Sequence, residues 1–269
     1  ELRGVEYALP VASAQLKSAL LLAALYAHGK TTVQSPGPSR DHTERMLLAM
    51  GAQIETNTAN TVSLTGPIAL TGQRIEVPRD FSSAAFFVVA GLLGARDGLL
   101  IPGVGVNPTR TGMLQILREM GGIIELRNQR EYGAEPIADL YVEQSSLKGI
   151  EIGADLVALS IDELPIVFIA AAAAKGRTIV TGAEELRYKE SDRLSVMANG
   201  LRSLGISVDE HPDGLTVIGG SFGGGRVDSH GDHRVAMAFT IASLRANAPI
   251  EILDTAPVAT SFPDFLDVA

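Results

Sequence analysis

The sequence repeats one pattern of helices and strands, and this repeat constrains the fold more than any other feature of the chain. Four related units begin at "LPVASAQLKS", "VPRDFSSAAF", "LSIDELPIVF" and "VDSHGDHRVA". Each unit starts with a short polar segment, continues into a helix rich in alanine and leucine, and then reaches a glycine or asparagine and a β-branched strand. A loop, an amphipathic helix and a strand hairpin follow. The pattern predicts β-α-β-α-β-β units of about 70–80 residues and an α/β fold class.

Helix ends and buried faces can be assigned within this repeat. Gly51, Gly121 and Gly205 directly follow the amphipathic helices, and we predict that they are the C′ residues because glycine adopts the left-handed conformation without strain. The apolar run 170–174 predicts that the first helix of a unit is buried on all sides. In the third unit, helical spacing marks one buried face of the second helix by Leu194, Met197, Leu201 and Leu204.

Charge and cysteine content limit the classes of function. A formal net charge of −9 at pH 7 argues against nucleic acid or an anionic membrane as a partner. The longest apolar stretch, "LPIVFIAAAAA", is too short to span a bilayer. The sequence has no cysteine, which excludes disulfides and thiolate zinc sites and indicates a reducing compartment, for which we predict the cytoplasm. Any site for an anion must therefore be a local cluster of basic residues.

Polar segments stand at or near the predicted helix starts, where unpaired N–H groups and the helix dipole favour anions. Ser39 and Asn107 are predicted to be ordinary N-caps. A basic residue at a helix start opposes the dipole, so capping does not explain the arginines found there. Their planar side chains match phosphate and carboxylate groups, which predicts anion binding. The six polar segments are residues 13–15, 39–43, 107–111, 160–163, 189–193 and 231–234. Four of them contain such an arginine: Arg40, Arg110, Arg193 and Arg234.

The segment "KESDR" combines these charges most densely. Lys189 and Arg193 lie four residues apart, which predicts that they share one face of a helix. Glu190 lies between them, and a carboxyl group partly shielded from water can be raised towards neutrality and donate a proton. In the alternative, Glu190 and Asp192 only balance the neighbouring cations. The spacing leaves both interpretations open.

A metal site is not predicted. His230, Asp232 and His233 are residue types that bind metals, but their spacing without a further cluster is a weak signal. Polarity at a helix start explains these residues better.

Six segments together closely resemble 5-enolpyruvylshikimate-3-phosphate synthases (EPSP synthases, 3-phosphoshikimate 1-carboxyvinyltransferases). They are "ALPVASAQLKSALLLAAL", "SRDHTERM", "NPTRTG", "LRYKESDRL", "GDHRVAMAF" and "TSFPDF". The resemblance runs essentially end to end, and "ASAQ" and "SRDHTE" are most similar to the class II bacterial branch. In the other branch a lysine typically precedes the final Thr-Phe-Pro, and the aligned position here is Thr260.

The resemblance implies the two-domain enolpyruvyl transferase fold, an inside-out α/β barrel built from the repeated units. Residues 1–77 would be the remaining part of the first domain and 78–269 the second domain, with units at about 78–160, 161–227 and 228–269. The family's Lys-Ser-x-x-x-Arg segment and Leu-Gly-Asn-x-Gly-Thr loop do not occur in this sequence. We therefore expect the chain to correspond to an enzyme without its N-terminal part, and an N-terminal segment of the same enzyme to be needed for activity.

The resemblance also implies an activity. It is transfer of the enolpyruvyl group from phosphoenolpyruvate to the 5-hydroxyl of shikimate 3-phosphate, with release of phosphate and without a metal or cofactor. This is a step of the shikimate pathway to chorismate and the aromatic amino acids, and the full-length enzyme would be a monomer. The alternatives are UDP-N-acetylglucosamine enolpyruvyl transferase, which shares fold and donor, and a non-catalytic fragment of the synthase.

Residue roles carried over from the resemblance complete the prediction. Asp162 is implied to accept the 5-hydroxyl proton, Glu190 to protonate the methylene carbon, and Lys189 to be the third catalytic residue. The residues implied to bind shikimate 3-phosphate are Ser13, Ala14, Gln15, Arg40, Asp162 and Lys189. The residues implied to bind phosphoenolpyruvate are Gln15, Glu190, Arg193, His233 and Arg234.

Overall fold

A computed structural model describes residues 1–58 and 60–269 of the chain. The chain divides into two compact units, each considered by itself below. Unit 1 comprises Glu1–Pro78, Gly105–Thr109 and Gln129–Ile137, and unit 2 comprises Arg79–Val104, Arg110–Asn128 and Ala138–Ala269. The predicted division into enzyme domains after residue 77 stays a prediction.

Unit 1 contains the first repeat, whose strands form one mixed sheet. The sheet order is β1-β2-β4-β3, with β1 parallel to β2 and the other neighbouring strands antiparallel. This arrangement confirms the predicted β-α-β-α-β-β unit. Its elements are β1 (Glu6–Ala8), α1 (Ala14–Ala24), β2 (Gly29–Gln34), α2 (His42–Ala49), β3 (Ile54–Thr58) and β4 (Thr61–Gly66).

Helix α1 departs from the prediction that first helices are buried on all sides. Its buried face carries Lys17, Leu21 and Ala24, and Leu21 belongs to an apolar cluster that is completed from the sheet and α2. The opposite face leaves Leu16 and Leu22 exposed. The prediction is wrong for α1 because within unit 1 the sheet and α2 cover only one side of this helix.

The second repeat supplies the next elements of the chain, and β6 and β7 extend from unit 2 into residues of unit 1. Its strands form a sheet of order β5-β7-β6. Arg79 makes an isolated parallel bridge to Val104, in the place that a first strand occupies in unit 1. The elements are α3 (Phe81–Gly94), β5 (Leu99–Gly105), α4 (Gly112–Glu119), β6 (Ile123–Tyr132) and β7 (Glu135–Glu143).

The third repeat lies wholly in unit 2 and has the sheet order β8-β9-β11-β10, the same sequence of strands as in unit 1. Its opening strand pairs in parallel with Ile179 and Val180, so the repeat begins before the predicted residue 161. The two strand residues are too few to produce a periodic signal. The elements are β8 (Glu151–Ile152), α5 (Ala154–Ala158), a 3₁₀ turn (Ile161–Glu163), α6 (Leu164–Ala173), β9 (Arg177–Val180), a second 3₁₀ turn (Glu184–Tyr188), α7 (Arg193–Ser203), β10 (Ser207–His211) and β11 (Gly214–Ile218).

The fourth repeat contributes a pair of parallel strands and the last helices. Its helix α10 places Phe265 edge-on against Phe86 of α3, with 5.8 Å between the ring centroids. The elements are β12 (Gly225–Asp228), α8 (His233–Ala242), a 3₁₀ turn (Ser243–Arg245), β13 (Ile250–Leu253), α9 (Val258–Ser261) and α10 (Phe265–Val268).

Helices α3, α6 and α8 pack on one another and form the core of unit 2. Residues 164–172 of α6 are all buried, which confirms the prediction from its apolar run. Among the helices of the described residues, none is both long and apolar enough to cross a membrane.

The predicted C′ glycines are confirmed. Gly51, Gly121 and Gly205 follow the C-caps of α2, α4 and α7 with φ of 92°, 96° and 84°, a conformation in which other residues are strained. These glycines end each amphipathic helix where the hairpin strands begin.

Candidate active site

In unit 2, helices α7 and α8 both begin with an aspartate N-cap followed by basic residues. Asp192 Oδ1 accepts from the Ser195 amide at 3.1 Å at the start of α7. Asp232 Oδ1 accepts from the Arg234 amide at 2.9 Å at the start of α8. The two caps satisfy amides that would otherwise be unpaired. They leave Arg193 and Arg234 in the first helical turns, as the sequence predicts.

Arg193 is buried and forms a bidentate pair with Asp232. Its side chain is 1% exposed, and that of Asp232 is fully buried. Arg193 Nε donates to Asp232 Oδ2 at 2.8 Å and Nη2 to Oδ1 at 3.4 Å, while Ser191 Oγ donates to Oδ2 at 3.1 Å. Burial opposes ionisation of Asp232, but the hydrogen bonds and charge of Arg193 outweigh it and hold the pKa of this carboxyl below its usual range.

Glu190 contacts the same arginine from the exposed side. Arg193 Nη2 donates to Glu190 Oε2 at 2.5 Å, and the Glu190 side chain is 49% exposed. Glu190 therefore pairs with the charge of Arg193. Its role as a proton donor stays a prediction.

Asp162 and Lys189 approach one another from different parts of unit 2. Lys189 Nζ lies 3.7 Å from Asp162 Oδ1 and 2.6 Å from Glu185 Oε1. Lys189 has extended backbone angles between the second 3₁₀ turn and α7. The prediction that Lys189 and Arg193 share a helical face is therefore wrong, because the helix begins only at Arg193.

Arg234 is joined to Asp162 through the backbone. Its Nη1 donates to the Asp162 carbonyl oxygen at 3.0 Å, and the Arg234 side chain is mostly buried. Asp162 belongs to the 3₁₀ turn that leads into α6. The guanidinium of Arg234 is thus fixed relative to the residue that the sequence predicts as the proton acceptor.

Glu163, the residue after Asp162, lies at the centre of a buried polar cluster that the sequence did not reveal. Its side chain is 1% exposed, and Oε1 accepts from Ser82 Oγ at 2.5 Å. Arg110 Nη2 lies 2.5 Å from Ser82 Oγ and 3.3 Å from Glu163 Oε1, and Arg234 Nη1 lies 3.9 Å from the same oxygen. Burial raises the pKa of Glu163, although Arg110, Ser82 and Arg234 oppose that rise.

His233 occupies the first position of α8, between Asp232 and Arg234. Burial lowers its pKa, and the neighbouring charge of Arg234 lowers it further. The imidazole is therefore held towards its neutral form. Within the described residues, no three or more His, Cys, Asp or Glu side chains are grouped so as to hold a metal ion.

The remaining two charges of the "LRYKESDRL" segment have structural roles. Arg187 Nη1 donates to Asp192 Oδ2 at 2.8 Å and to Glu210 Oε1 at 3.0 Å, and Nη2 donates to the His211 carbonyl at 2.6 Å. Asp192 also caps α7, as described above. This pair therefore fixes the segment to the β10–β11 hairpin.

The predicted residues of unit 1 lie at the starts of α1 and α2. Ser13 is the N-cap of α1, and its Oγ accepts from the Leu16 amide at 3.3 Å. Ala14 and Gln15 form the first positions of that helix. Arg40 is half-buried and stands two residues before α2.

Two polar contacts hold the starts of α1 and α2 together. Lys17 Nζ lies 2.6 Å from Glu44 Oε1, and both side chains are 8% exposed. Ser18 Oγ lies 2.7 Å from Thr43 Oγ1. Because these residues follow Gln15 and Arg40 closely in the chain, the contacts bring both predicted binding segments to one end of unit 1.

Ser39 and Asn107 do not have the capping roles that the sequence predicts. Asp41, not Ser39, is the N-cap of α2, and Thr111, not Asn107, is the N-cap of α4. Asn107 instead accepts from the Thr109 amide at 2.9 Å and donates to Asp41 Oδ1 at 2.7 Å within unit 1. Both predictions are wrong, and for Asn107 the reason is that its side chain bonds to neighbouring loop residues in place of the helix.

The arrangement of elements is that of a known class of enzymes. An enolpyruvyl transferase from Streptomyces tendae, NikO, superposes with a TM-score of 0.75 over 92% of this chain and 56% of its own, at 22% sequence identity. At this identity the likeness shows the fold alone. The α/β fold of repeated units is therefore the enolpyruvyl transferase fold, as the sequence predicts.

The sequence narrows the class to one family. The family model for EPSP synthase (3-phosphoshikimate 1-carboxyvinyltransferase) matches residues 1–269. An EPSP synthase structure from Acinetobacter baumannii has a TM-score of 0.96 and 49% identity, and covers all of this chain and 62% of its own. The chain belongs to the EPSP synthase family.

A curated relative gives the extent of the match. The 3-phosphoshikimate 1-carboxyvinyltransferase of Methylococcus capsulatus is 55% identical over 268 residues, which is 100% of this chain and 61% of the relative. The chain thus spans about three fifths of the length of the curated relatives it matches.

Proposed function

We propose that this chain provides substrate-binding and catalytic residues for enolpyruvyl transfer from phosphoenolpyruvate to shikimate 3-phosphate. The observation that carries the proposal is the convergence, in unit 2, of three segments distant in sequence. Lys189 reaches Asp162, Arg234 holds the Asp162 backbone, and Arg193 binds Glu190. Family membership supplies the reaction for which this grouping is suited.

Two arginine side chains support the proposal that phosphoenolpyruvate, the enolpyruvyl donor, binds to unit 2. Arg193 and Arg234 stand in the first turns of α7 and α8, where helix N–H groups also favour anions. Phosphoenolpyruvate carries a phosphate and a carboxylate, and each can accept a pair of hydrogen bonds from one arginine. His233 and Glu190 complete this set in unit 2, and Gln15 in unit 1 is proposed to contribute as well.

The helix starts also support the choice of residues proposed to bind shikimate 3-phosphate, the acceptor. In unit 1, Ser13, Ala14, Gln15 and Arg40 are proposed to bind shikimate 3-phosphate, because the N-terminal turn of α1 and an arginine suit its phosphate. In unit 2, Lys189 and Asp162 are proposed to contact the same substrate.

The proton transfers follow from the chemistry of addition and elimination. The 5-hydroxyl oxygen attacks C2 of phosphoenolpyruvate and gives its proton to Asp162, whose Oδ1 lies 3.7 Å from Lys189 Nζ. Glu190 gives a proton to C3, so a methyl group forms on a tetrahedral carbon. The Glu190 carboxylate then takes a proton back from that methyl group as phosphate departs, which restores the double bond in the product.

Glu190 must leave Arg193 before it can act as the acid in this scheme. The side chain is half exposed and bound to Arg193, so this contact must break before the carboxyl group can reach C3 of the donor. An incoming donor anion that takes over Arg193 would remove that cation from Glu190.

A titration with two acceptors tests the proposal. Shikimate 3-phosphate and UDP-N-acetylglucosamine are titrated separately into the chain combined with the portion of the Methylococcus capsulatus relative that lies outside the match, below called the complemented enzyme. Saturable binding of shikimate 3-phosphate with no binding of the UDP-sugar supports the proposal, and the reverse preference favours the alternative transferase. Binding by the complemented enzyme without turnover would support the non-catalytic fragment.

Two further properties are proposed, the compartment and the oligomeric state. A sequence with no cysteine suits a reducing compartment, and we assign the protein to the cytoplasm. The full-length enzyme is proposed to act as a monomer, which sedimentation of the complemented enzyme tests.

A further inference from the structure

Glu163 is a buried acidic side chain to which the proposed reaction gives no role. It is 2% exposed and directly follows Asp162 in the 3₁₀ turn before α6. The charged and polar groups that face it come from four separate places in unit 2: Ser82 at the start of α3, Arg110 before α4, Arg234 in α8 and its neighbour Asp162.

The contacts of Glu163 connect it to the donor-binding arginine. Glu163 Oε1 lies 3.9 Å from Arg234 Nη1, and the same nitrogen donates to the carbonyl of Asp162 at 3.0 Å. Ser82 and Arg110 hold the carboxylate from the other side, at 2.5 Å and 3.3 Å. Arg234 is thus held between the backbone of Asp162 and the charge of Glu163, and Arg110 is held on Glu163.

A gain in the stability of the fold does not explain why the Glu163 carboxylate is buried. Burial raises its pKa, so the ionised form is less favourable in the folded chain than in water. A buried charge of this kind is weak evidence for stabilisation. What Glu163 does provide is a second contact for the Arg234 guanidinium, in addition to the hydrogen bond with the Asp162 carbonyl.

We propose that Glu163 is a positioning residue for the donor, which orients the Arg234 guanidinium. The inference rests on the proposed function, in which Arg234 binds phosphoenolpyruvate. Glu163 itself touches neither substrate in this scheme.

Donor binding by the 269-residue chain tests the proposal. Phosphoenolpyruvate and shikimate 3-phosphate are each titrated into wild type and Glu163→Gln by calorimetry. We expect the phosphoenolpyruvate Kd to rise about tenfold, because Arg234 loses the ion pair with Glu163 that fixes its guanidinium, and the shikimate 3-phosphate Kd to stay within about twofold. In the complemented enzyme the KM for phosphoenolpyruvate should rise while kcat changes little, whereas mere loss of folded protein would lower kcat alone.

Glu210→Gln is the matched control. It makes the same chemical change beside a different arginine of unit 2, Arg187, which has no proposed contact with substrate. Its phosphoenolpyruvate Kd should equal that of wild type. If Glu163→Gln does not fold, Ser82→Ala replaces it, because this change removes a hydrogen bond to the Glu163 carboxylate and keeps the charge. A weaker donor affinity is expected there too.

A second measurement without any ligand separates failure of the inference from failure of the proposed function. Phenylglyoxal modifies accessible arginines, and peptide mass spectrometry gives the rate at Arg234 relative to Arg226, which is largely exposed. We expect the relative rate at Arg234 to increase severalfold in Glu163→Gln. If wild type binds phosphoenolpyruvate and Glu163→Gln binds it with equal affinity, the inference is overturned. If wild type binds no phosphoenolpyruvate even as the complemented enzyme, the proposed function is overturned, and an unchanged Arg234 rate then overturns the inference as well.

Discussion

The guanidinium of Arg193 holds the carboxylate of Glu190, with 2.5 Å between Nη2 and Oε2. The rest of the arginine is buried against Asp232. An anion that binds Nη2 of Arg193 therefore competes with Glu190. The contact between Arg193 and Glu190 therefore affects both the affinity for phosphoenolpyruvate and the availability of Glu190 as the proposed acid.

Glu190→Gln separates acid catalysis from charge balance. The change preserves the shape of the side chain but removes its charge and its transferable proton. Turnover of the complemented enzyme should fall by about 10²–10⁴-fold, the usual value of general acid catalysis. Affinity for phosphoenolpyruvate should hold or increase because the competing carboxylate is gone, and shikimate 3-phosphate affinity should barely move. Single-turnover rates with both substrates saturating measure the effect, and near-normal turnover would falsify the catalytic role.

Loss of Arg193 should weaken the donor far more than the acceptor. Arg193→Ala alone would leave the buried charge of Asp232 unpaired, so the test uses the double variant Arg193→Met/Asp232→Asn, which removes both charges. The phosphoenolpyruvate affinity should fall by about 2–5 kcal/mol. Equal losses for phosphoenolpyruvate and shikimate 3-phosphate in calorimetric titrations would contradict the donor assignment.

Asp232→Asn should lower stability and flatten its dependence on acid pH. Asparagine still caps α8 well, but Arg193 loses its buried counter-charge, at a cost of about 3–5 kcal/mol. Because the folded pKa of Asp232 is lowered, its stabilising contribution is present above the unfolded value of about 3.9 and is lost as the pH falls towards the folded pKa. Urea unfolding at a series of pH values measures both effects.

Asp80→Asn is the control for this prediction. Asp80 caps α3 by accepting from the Ser83 amide at 2.8 Å, and the residue is exposed. The change should cost much less than that at Asp232. A similar loss for both variants would mean that capping, not the buried pair, explains the effect.

Gly200→Ala should destabilise the fold although alanine favours helices. A Cβ at Gly200 in α7 would collide with the Phe239 ring of α8 and lie 3.0 Å from Val227 Cγ1. The gain in helix propensity is about 1 kcal/mol, whereas overpacking a core costs about 1–3 kcal/mol. Gly94→Ala is the comparison, because Gly94 ends α3 with nothing within 4 Å of its Cβ position, and it should be neutral or stabilising. Thermal unfolding that ranks the two variants in the opposite order would contradict this packing.

Features that depend on local pattern could be predicted from the sequence. The repeat, the C′ residues Gly51, Gly121 and Gly205, and the placement of arginines at helix starts all follow from short stretches of the chain. The resemblance supplied the family, which the comparisons confirm over all 269 residues.

Features that depend on pairing across long separations could not be predicted. Arg193 and Asp232 are distant in sequence, and nothing in the GDHR segment distinguishes a capping aspartate from one that also binds an arginine. Glu163 follows a predicted catalytic residue, but its partners Ser82 and Arg110 come from another repeat. The prediction that Lys189 and Arg193 share a helical face was wrong because their spacing does not determine where the helix begins.

Product formation by the complemented enzyme is the most direct measurement of the central claim. Phosphate release and the mass of the organic product are followed with phosphoenolpyruvate and shikimate 3-phosphate, in wild type and in Asp162→Asn, which keeps the size of the side chain but cannot accept the hydroxyl proton as a carboxylate does. We predict that wild type forms 5-enolpyruvylshikimate 3-phosphate and one phosphate per product molecule, and that Asp162→Asn loses turnover while still binding both substrates. A folded complemented enzyme that forms no such product, or an Asp162→Asn variant as active as wild type, would contradict the account.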